Sequence, residues 1–143
     1  QSRNLMVVDD SSLRLVWIDF QDALLGPRVY DLVALLNDSY QEFDRAFVEE
    51  RLGEYAEAAK LPAKDRTKLV SEFDLVTVQR KLKDAGRFVF IEHTKKNTSF
   101  RRFVTPTIKK VDAALVRLAK KDKELGELRA ILQRSLGDDL FAS

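Results

Sequence analysis

The sequence predicts an α+β fold that is mostly α-helical: a short N-terminal β-hairpin followed by five to six helices. Three observations carry this. Leu5 to Val8 and Leu13 to Ile18 are two apolar, β-branched runs with "DDSS" between them, and those four residues favour turns. From about Val29 onward the apolar residues recur at three- and four-residue spacing. Charged residues make up 34% of the chain, above the usual roughly 25%, as helices with solvated outer faces require.

The elements follow in order. A two-stranded hairpin is marginal alone, so this one is expected to pack on something else. Trp17 alternates with Leu15 on one strand face and is expected in the core. Gly26-Pro27 breaks the chain. Val29, Leu32, Leu35 and Leu36 then share a helical face. A second helix is expected from about Phe43 to Lys60, with Phe47, Leu52, Tyr55 and Ala59 in register and Pro62 stopping it. A third starts near Lys64. Its apolar residues between Leu69 and Leu82 run almost all the way round, the pattern of a helix buried on several sides. Gly86 is expected to interrupt it, with a short helix through Phe88 and Ile91 beyond. "KKNTS" (95 to 99) reads as a polar loop. Pro106 can open the next helix, striped by Ile108, Val111, Leu115 and Leu118. Leu125, Leu128, Leu132 and Leu136 stripe the last, and Gly137 ends it.

A length of 143 residues suits one domain or one lobe. The net charge of +2 argues for no polyanionic partner, so no nucleic acid is expected. The absence of cysteine excludes disulfides and thiol chemistry, and it fits a reducing cytosol; a cytoplasmic location is the expectation. No apolar run approaches a membrane span, and no membrane partner is expected. The chain starts at Gln1 without an initiator Met, which reads as a piece of a longer protein.

The polar residues around the hairpin carry the chemistry. Asp19 ends the run "LRLVWI", and Asn4 lies just before the partner strand. In a hairpin the start of one strand neighbours the end of the other, so the two should meet. An amide oxygen and a carboxylate together make a hard-oxygen site of the kind Mg²⁺ takes. The same residues also suit plain turn or cap roles. Gln21 and Asp22 follow, placed either to face a substrate or to brace the loop. Arg3 suits either a phosphate or substrate charge, or a nearby carboxylate. Asp31 is a first-turn acidic residue, favourable at a helix start. Tyr30 and Tyr40 are expected to pack, and His93, the one histidine, has no companion for a metal site.

"SRNLMV" and "WIDF" resemble the catalytic and metal-binding segments of the kinase-like small-molecule phosphotransferases, the aminoglycoside phosphotransferase and choline kinase group. On that resemblance Asn4 matches the metal-binding Asn of the catalytic loop and Asp19 the second metal-binding Asp. "GPRVYDL" is similar to the family segment in which an Asp opens a helix and buttresses the catalytic loop, which places Asp31 in that supporting role. Gln21 stands where protein kinases carry Gly, a departure usual among small-molecule members. The wording "IDFQDALLGPRVYDLVALLNDSYQ" and "VQRKLKDAGRF" is similar to bacterial kinases that phosphorylate the anomeric hydroxyl of N-acetylmuramate and N-acetylglucosamine in cell-wall recycling.

The resemblance implies a protein-kinase-like C-terminal lobe spanning residues 1–143. The catalytic-loop remnant and metal-binding hairpin would occupy 1–31, and a helical subdomain 32–143. It implies ATP as co-substrate, Mg²⁺ as cofactor and a small-molecule acceptor, most simply an amino sugar. The base Asp is expected five residues before Asn4, upstream of Gln1, and the ATP-binding lobe is expected outside the chain. The fragment alone is then expected to be inactive. On the same reading "KKNTSFRR" (95 to 102) places Arg101 and Arg102 toward an anionic group such as the lactyl carboxylate of N-acetylmuramate. Three other readings stand beside this one. They are an aminoglycoside- or choline-type kinase, a kinase-fold remnant that only binds a partner, and a basic helical nucleic-acid module using Phe100 and its flanking cations.

Overall fold

A computed structural model describes residues 4–9, 11–12, 14–19, 21 and 24–137. It opens with an antiparallel hairpin of β1 (Leu5–Asp9) and β2 (Arg14–Trp17). Five α-helices follow among the described residues: α1 (Tyr30–Leu36), α2 (Arg45–Ala58), α3 (Ala63–Lys95), α4 (Val104–Leu118) and α5 (Lys123–Leu136). A 3₁₀ helix over Thr98–Phe103 leads into α4. The expected α+β, mostly helical architecture is the one observed. No helix among the described residues is long and apolar enough to cross a membrane.

The helix starts follow capping chemistry. Asp44 accepts a hydrogen bond from the Phe47 N–H to open α2, and Asp122 accepts from Glu124 and Leu125 to open α5. Asn97 does the same for the 3₁₀ helix, accepting from Ser99. "KKNTS" is thus the end of one helix and the cap of the next. Lys96 takes a left-handed conformation, φ 53°, which turns the chain off α3.

α3 is the spine. Its 33 residues span about 50 Å at 1.5 Å per residue. Gly86 does not interrupt it. A single glycine costs a helix only about 1 kcal/mol relative to alanine, and buried Ala85 and Phe88 on either side hold the segment in place. Nor is α3 buried all round. Leu69, Phe73, Thr77, Val78 and Lys81 are buried, whereas Leu75 is half exposed. Near its N-terminal end, Leu69 and Phe73 join Val29, Val33, Leu36, Val48, Leu52 and Ala56 in one core. Farther along, Val78 meets Val111, Ala114 and Leu115 of α4, and the stripe Leu125, Leu128 and Leu132 of α5 leans on that second core.

The hairpin differs from expectation. Trp17 is 68% exposed rather than in the core. Met6, Val7, Val8, Leu15 and Ile18 are also exposed. A two-stranded sheet has two faces and little mass behind either, so alternation along a strand does not bury a side chain unless another element covers that face.

Candidate active site

The "DDSS" turn shapes the hairpin. Asp9 Oδ1 accepts from the Ser11 backbone N–H at 2.9 Å and from its hydroxyl at 2.6 Å; Oδ2 accepts from the Ser12 hydroxyl at 2.8 Å. These bonds stabilise the carboxylate and hold its pKa below the ordinary value, the Ser11 hydroxyl contributing most. From the turn, Val7 pairs with Leu15, Met6 with Val16 and Leu5 with Trp17, with an irregularity between Val7 and Asp9. One further bond, Ile18 N–H to the Asn4 carbonyl at 3.0 Å, continues the ladder past the strand ends.

That register brings Asn4 and Asp19 together at the open end. The Asn4 amide Nδ2 donates to Asp19 Oδ2 at 2.9 Å. Gln21 Nε2 donates to the other carboxylate oxygen, Oδ1. The Asp19 carboxylate is therefore braced on both sides by side-chain amides. Asp19 also has φ 63°, in the left-handed region that a non-glycine residue occupies only when its surroundings impose it. Such residues concentrate where a side chain must be aimed. The donor set is an amide oxygen on Asn4 and a carboxylate on Asp19, the hard-oxygen ligands that suit Mg²⁺.

The other sequence candidates fall as follows. Gln21 lies beside Asp19 and donates to its carboxylate. Asp31 is exposed in the first turn of α1, where a carboxylate complements the helix N-terminus. Arg3 and Asp22 lie outside the described residues. Tyr40 packs edge-on against Phe103 at 4.8 Å, and Tyr30 lies beneath the Arg80 guanidinium at 4.4 Å. Arg101 is paired with Glu92 at 2.7 Å, and Arg102 lies 4.8 Å from the centre of the Phe103 ring.

A second polar centre was not foreseen. Lys81 on α3 has a side chain only 2% exposed. Its Nζ donates to the Ser39 hydroxyl and to Asp84 Oδ2, each at 3.1 Å. Burial pushes the Lys81 pKa down, and Asp84 opposes that shift. Lys110 on α4 reaches the backbone carbonyls of Asp38 and Gln41, the latter at 2.7 Å. Its pKa is lowered too, first by burial and then by Lys81. Beside the Ser39 and Asp84 that Lys81 holds opens a pocket of about 250 Å³, with Asp38, Ser39, Asp84 and Arg87 in its polar lining and Tyr40, Phe88 and Phe100 among its rings. The only sequence signal was the i,i+3 spacing of Lys81 and Asp84 on one helical face.

The model of the phosphotransferase enzyme family matches residues 2–70, the stretch that holds Asn4, Asp19 and Asp31. Just under half of the chain is thus similar to the phosphotransferase enzyme family. Three curated relatives carry the name N-acetylmuramate/N-acetylglucosamine kinase. The protein of Neisseria meningitidis serogroup B is 36% identical over 126 residues, covering 85% of this chain and 36% of the relative. That of Pseudomonas putida is 35% identical over 120 residues, covering 81% and 35%. That of Pseudomonas aeruginosa is 32% identical over 134 residues, covering 91% and 38%. The chain thus spans little more than a third of the length of these relatives. No solved structure matches. The family match extends past the hairpin through α1 and α2 to the start of α3.

Proposed function

We propose that this chain is the C-terminal lobe of an ATP-dependent small-molecule kinase that phosphorylates a hydroxyl of an amino sugar, N-acetylmuramate or N-acetylglucosamine. The single observation that carries the reading is the contact of Asn4 with Asp19 at 2.9 Å, with Asp19 held at φ 63°. The match to the phosphotransferase family over residues 2–70 and the names of the three relatives support it.

The division of labour follows from the residues. Asn4 and Asp19 are the residues that would hold Mg²⁺, which when bound would offset the negative charge on the transferring phosphoryl group. Gln21 keeps the Asp19 carboxylate turned toward Asn4, so that little reorganisation is needed when charge develops. Asp31 stands at the start of α1 and supports the loop before it. A base Asp five residues before Asn4, and an ATP-binding lobe, complete the machinery and belong to sequence preceding Gln1. Residues 1–143 alone give no transfer.

The test is an ADP-release assay with N-acetylmuramate, N-acetylglucosamine, an aminoglycoside and choline. It is run on the longer protein, on its Asp19→Asn variant and on residues 1–143. Turnover of the amino sugars, lost in the variant and in the short chain, is the expected result. Transfer by residues 1–143 alone, or full activity of Asp19→Asn, refutes the assignment of roles. Preference for the aminoglycoside or choline moves the protein elsewhere in the family.

A further inference from the structure

We infer that the pocket over Lys81, between the α1–α2 connection and α3, holds the acceptor sugar, and that Arg87 reads a carboxylate on it. This rests on the amino-sugar kinase reading and names the group that separates its two sugars, the lactyl carboxylate present on N-acetylmuramate and absent from N-acetylglucosamine.

The pocket has two unlike sides. On the polar side Lys81 ties the Ser39 hydroxyl and the Asp84 carboxylate into fixed positions, 3.1 Å from its Nζ to each. Ser39 is only 8% exposed, so this side is set before any ligand arrives. A hydroxyl and a carboxylate so placed suit the hydroxyl and amide groups of a sugar. On the apolar side the rings of Phe88 and Phe100 stack with centroids 5.8 Å apart and planes 7° from parallel, and Tyr40 is tilted against Phe88 at 6.3 Å. Aromatic walls with a few fixed polar groups are the usual make-up of a small-molecule site. At about 250 Å³ the space lies near the small end of such sites, and it suits one ring better than an extended chain.

Arg87 gives the pocket its charge preference. The lining carries two carboxylates: Asp84 faces Lys81 at 3.1 Å and Lys83 at 3.5 Å, and Asp38 lies close enough to Lys81 and Lys110 to act on both of their charges. Six other arginines, among them Arg28, Arg45, Arg101 and Arg117, pair with carboxylates; Arg87, like Arg66 and Arg80, makes no ion pair among the described residues. It lines the pocket with a guanidinium suited to bidentate capture of a carboxylate. Arg101, the sequence candidate for that contact, is committed to Glu92.

The experiment is calorimetric titration of the 143-residue chain, without nucleotide, with N-acetylmuramate and with N-acetylglucosamine. N-acetylmuramate is expected to bind about tenfold more tightly. Arg87→Gln should remove that difference and leave the N-acetylglucosamine affinity unchanged. Phe100→Leu should weaken both sugars alike. Circular dichroism and melting of each variant should match the parent chain. No saturable binding of either sugar, or a preference that survives Arg87→Gln, overturns the inference. The readout needs no turnover, so it separates from the kinase reading. Phosphorylation with an Arg87-independent preference sinks only the pocket, while Arg87-dependent binding without any kinase activity in the longer protein sinks only the function.

Discussion

Arg117 and Asp74 meet as a flat fork. Arg117 Nε lies 2.9 Å from Asp74 Oδ2, and Nη2 lies 2.8 Å from Oδ1. Arg45 makes a second fork on the same carboxylate, at 2.8 and 3.1 Å. A carboxylate only 4% exposed thus joins α2, α3 and α4. Both arginines stay about one-third exposed, which keeps their desolvation cost low.

Removing the shared carboxylate leaves two clustered guanidinium groups facing each other. Asp74→Ala is expected to destabilise by about 3 kcal/mol. Arg45→Ala and Arg117→Ala should each cost less, because the remaining fork still neutralises Asp74. Urea denaturation of the three variants checks the order. Equal costs for all three would mean that the carboxylate does not act as a shared hub.

Gly86 offers the opposite case. It lies inside the continuous α3, and a Cβ built there meets nothing within 4 Å. Gly86→Ala should therefore stabilise by about 0.5–1 kcal/mol through reduced unfolded-chain entropy and better helix propensity. A rise in the urea midpoint at unchanged slope checks it. A fall would mean that the helix bends at Gly86.

Lys81 and Lys110 set the alkaline pH dependence. Both have folded pKa values below the ordinary 10.5, because burial disfavours the ammonium. The unfolded chain then binds more protons between each folded pKa and 10.5, so stability rises with pH across that window. The penalty is fully present below the folded values and is relieved as pH climbs through them. Melting temperature from pH 7 to 10 should rise in the parent chain and flatten in Lys81→Met/Lys110→Met. A slope unchanged in the double variant would assign it to other groups.

Much of this arrangement could be read from residue order, and the reasons for the exceptions are physical. The "DDSS" turn fixes the hairpin register, and register alone brings Asn4 to Asp19. The apolar periods place α1, α2, α4 and α5 because each has one covered face. Trp17 shows where this fails, since strand alternation says which residues share a face but not whether anything covers it. Lys81, Asp74 and Thr77 show the converse. They look like a solvated stripe, yet they are buried because partners on α2, α4 and the α1–α2 connection satisfy them. Those partners are 29 to 43 residues away in the chain, beyond any local pattern.

Trp17 is the sole tryptophan of this chain and is 68% exposed, so its tryptophan emission, excited apart from the three tyrosines, reports the hairpin. The isolated chain should show water-exposed emission, quenched readily by acrylamide. In a longer protein whose other lobe covers the hairpin, emission should move to the blue and quenching should fall. Equal quenching in both would leave the exposed apolar strands without a covering element.

The contact between Asn4 and Asp19 separates activity from stability. Both side chains stand at the open end of an exposed hairpin, and an exposed hydrogen bond contributes on the order of 1 kcal/mol at most. Asp19→Asn and Asn4→Ala should therefore melt close to the unaltered protein. On the proposed kinase reading, phosphoryl transfer by the longer protein would depend on these ligands as charge develops, so kcat should fall by roughly 10²-fold or more in each. Gln21→Ala should fall less, since it removes only the brace on Asp19 Oδ1 and no ligand. Raised Mg²⁺ should recover part of the Asn4→Ala loss, where the Asp19 carboxylate remains, and little of the Asp19→Asn loss. A paired fall in kcat and melting temperature would instead make the contact a structural clasp.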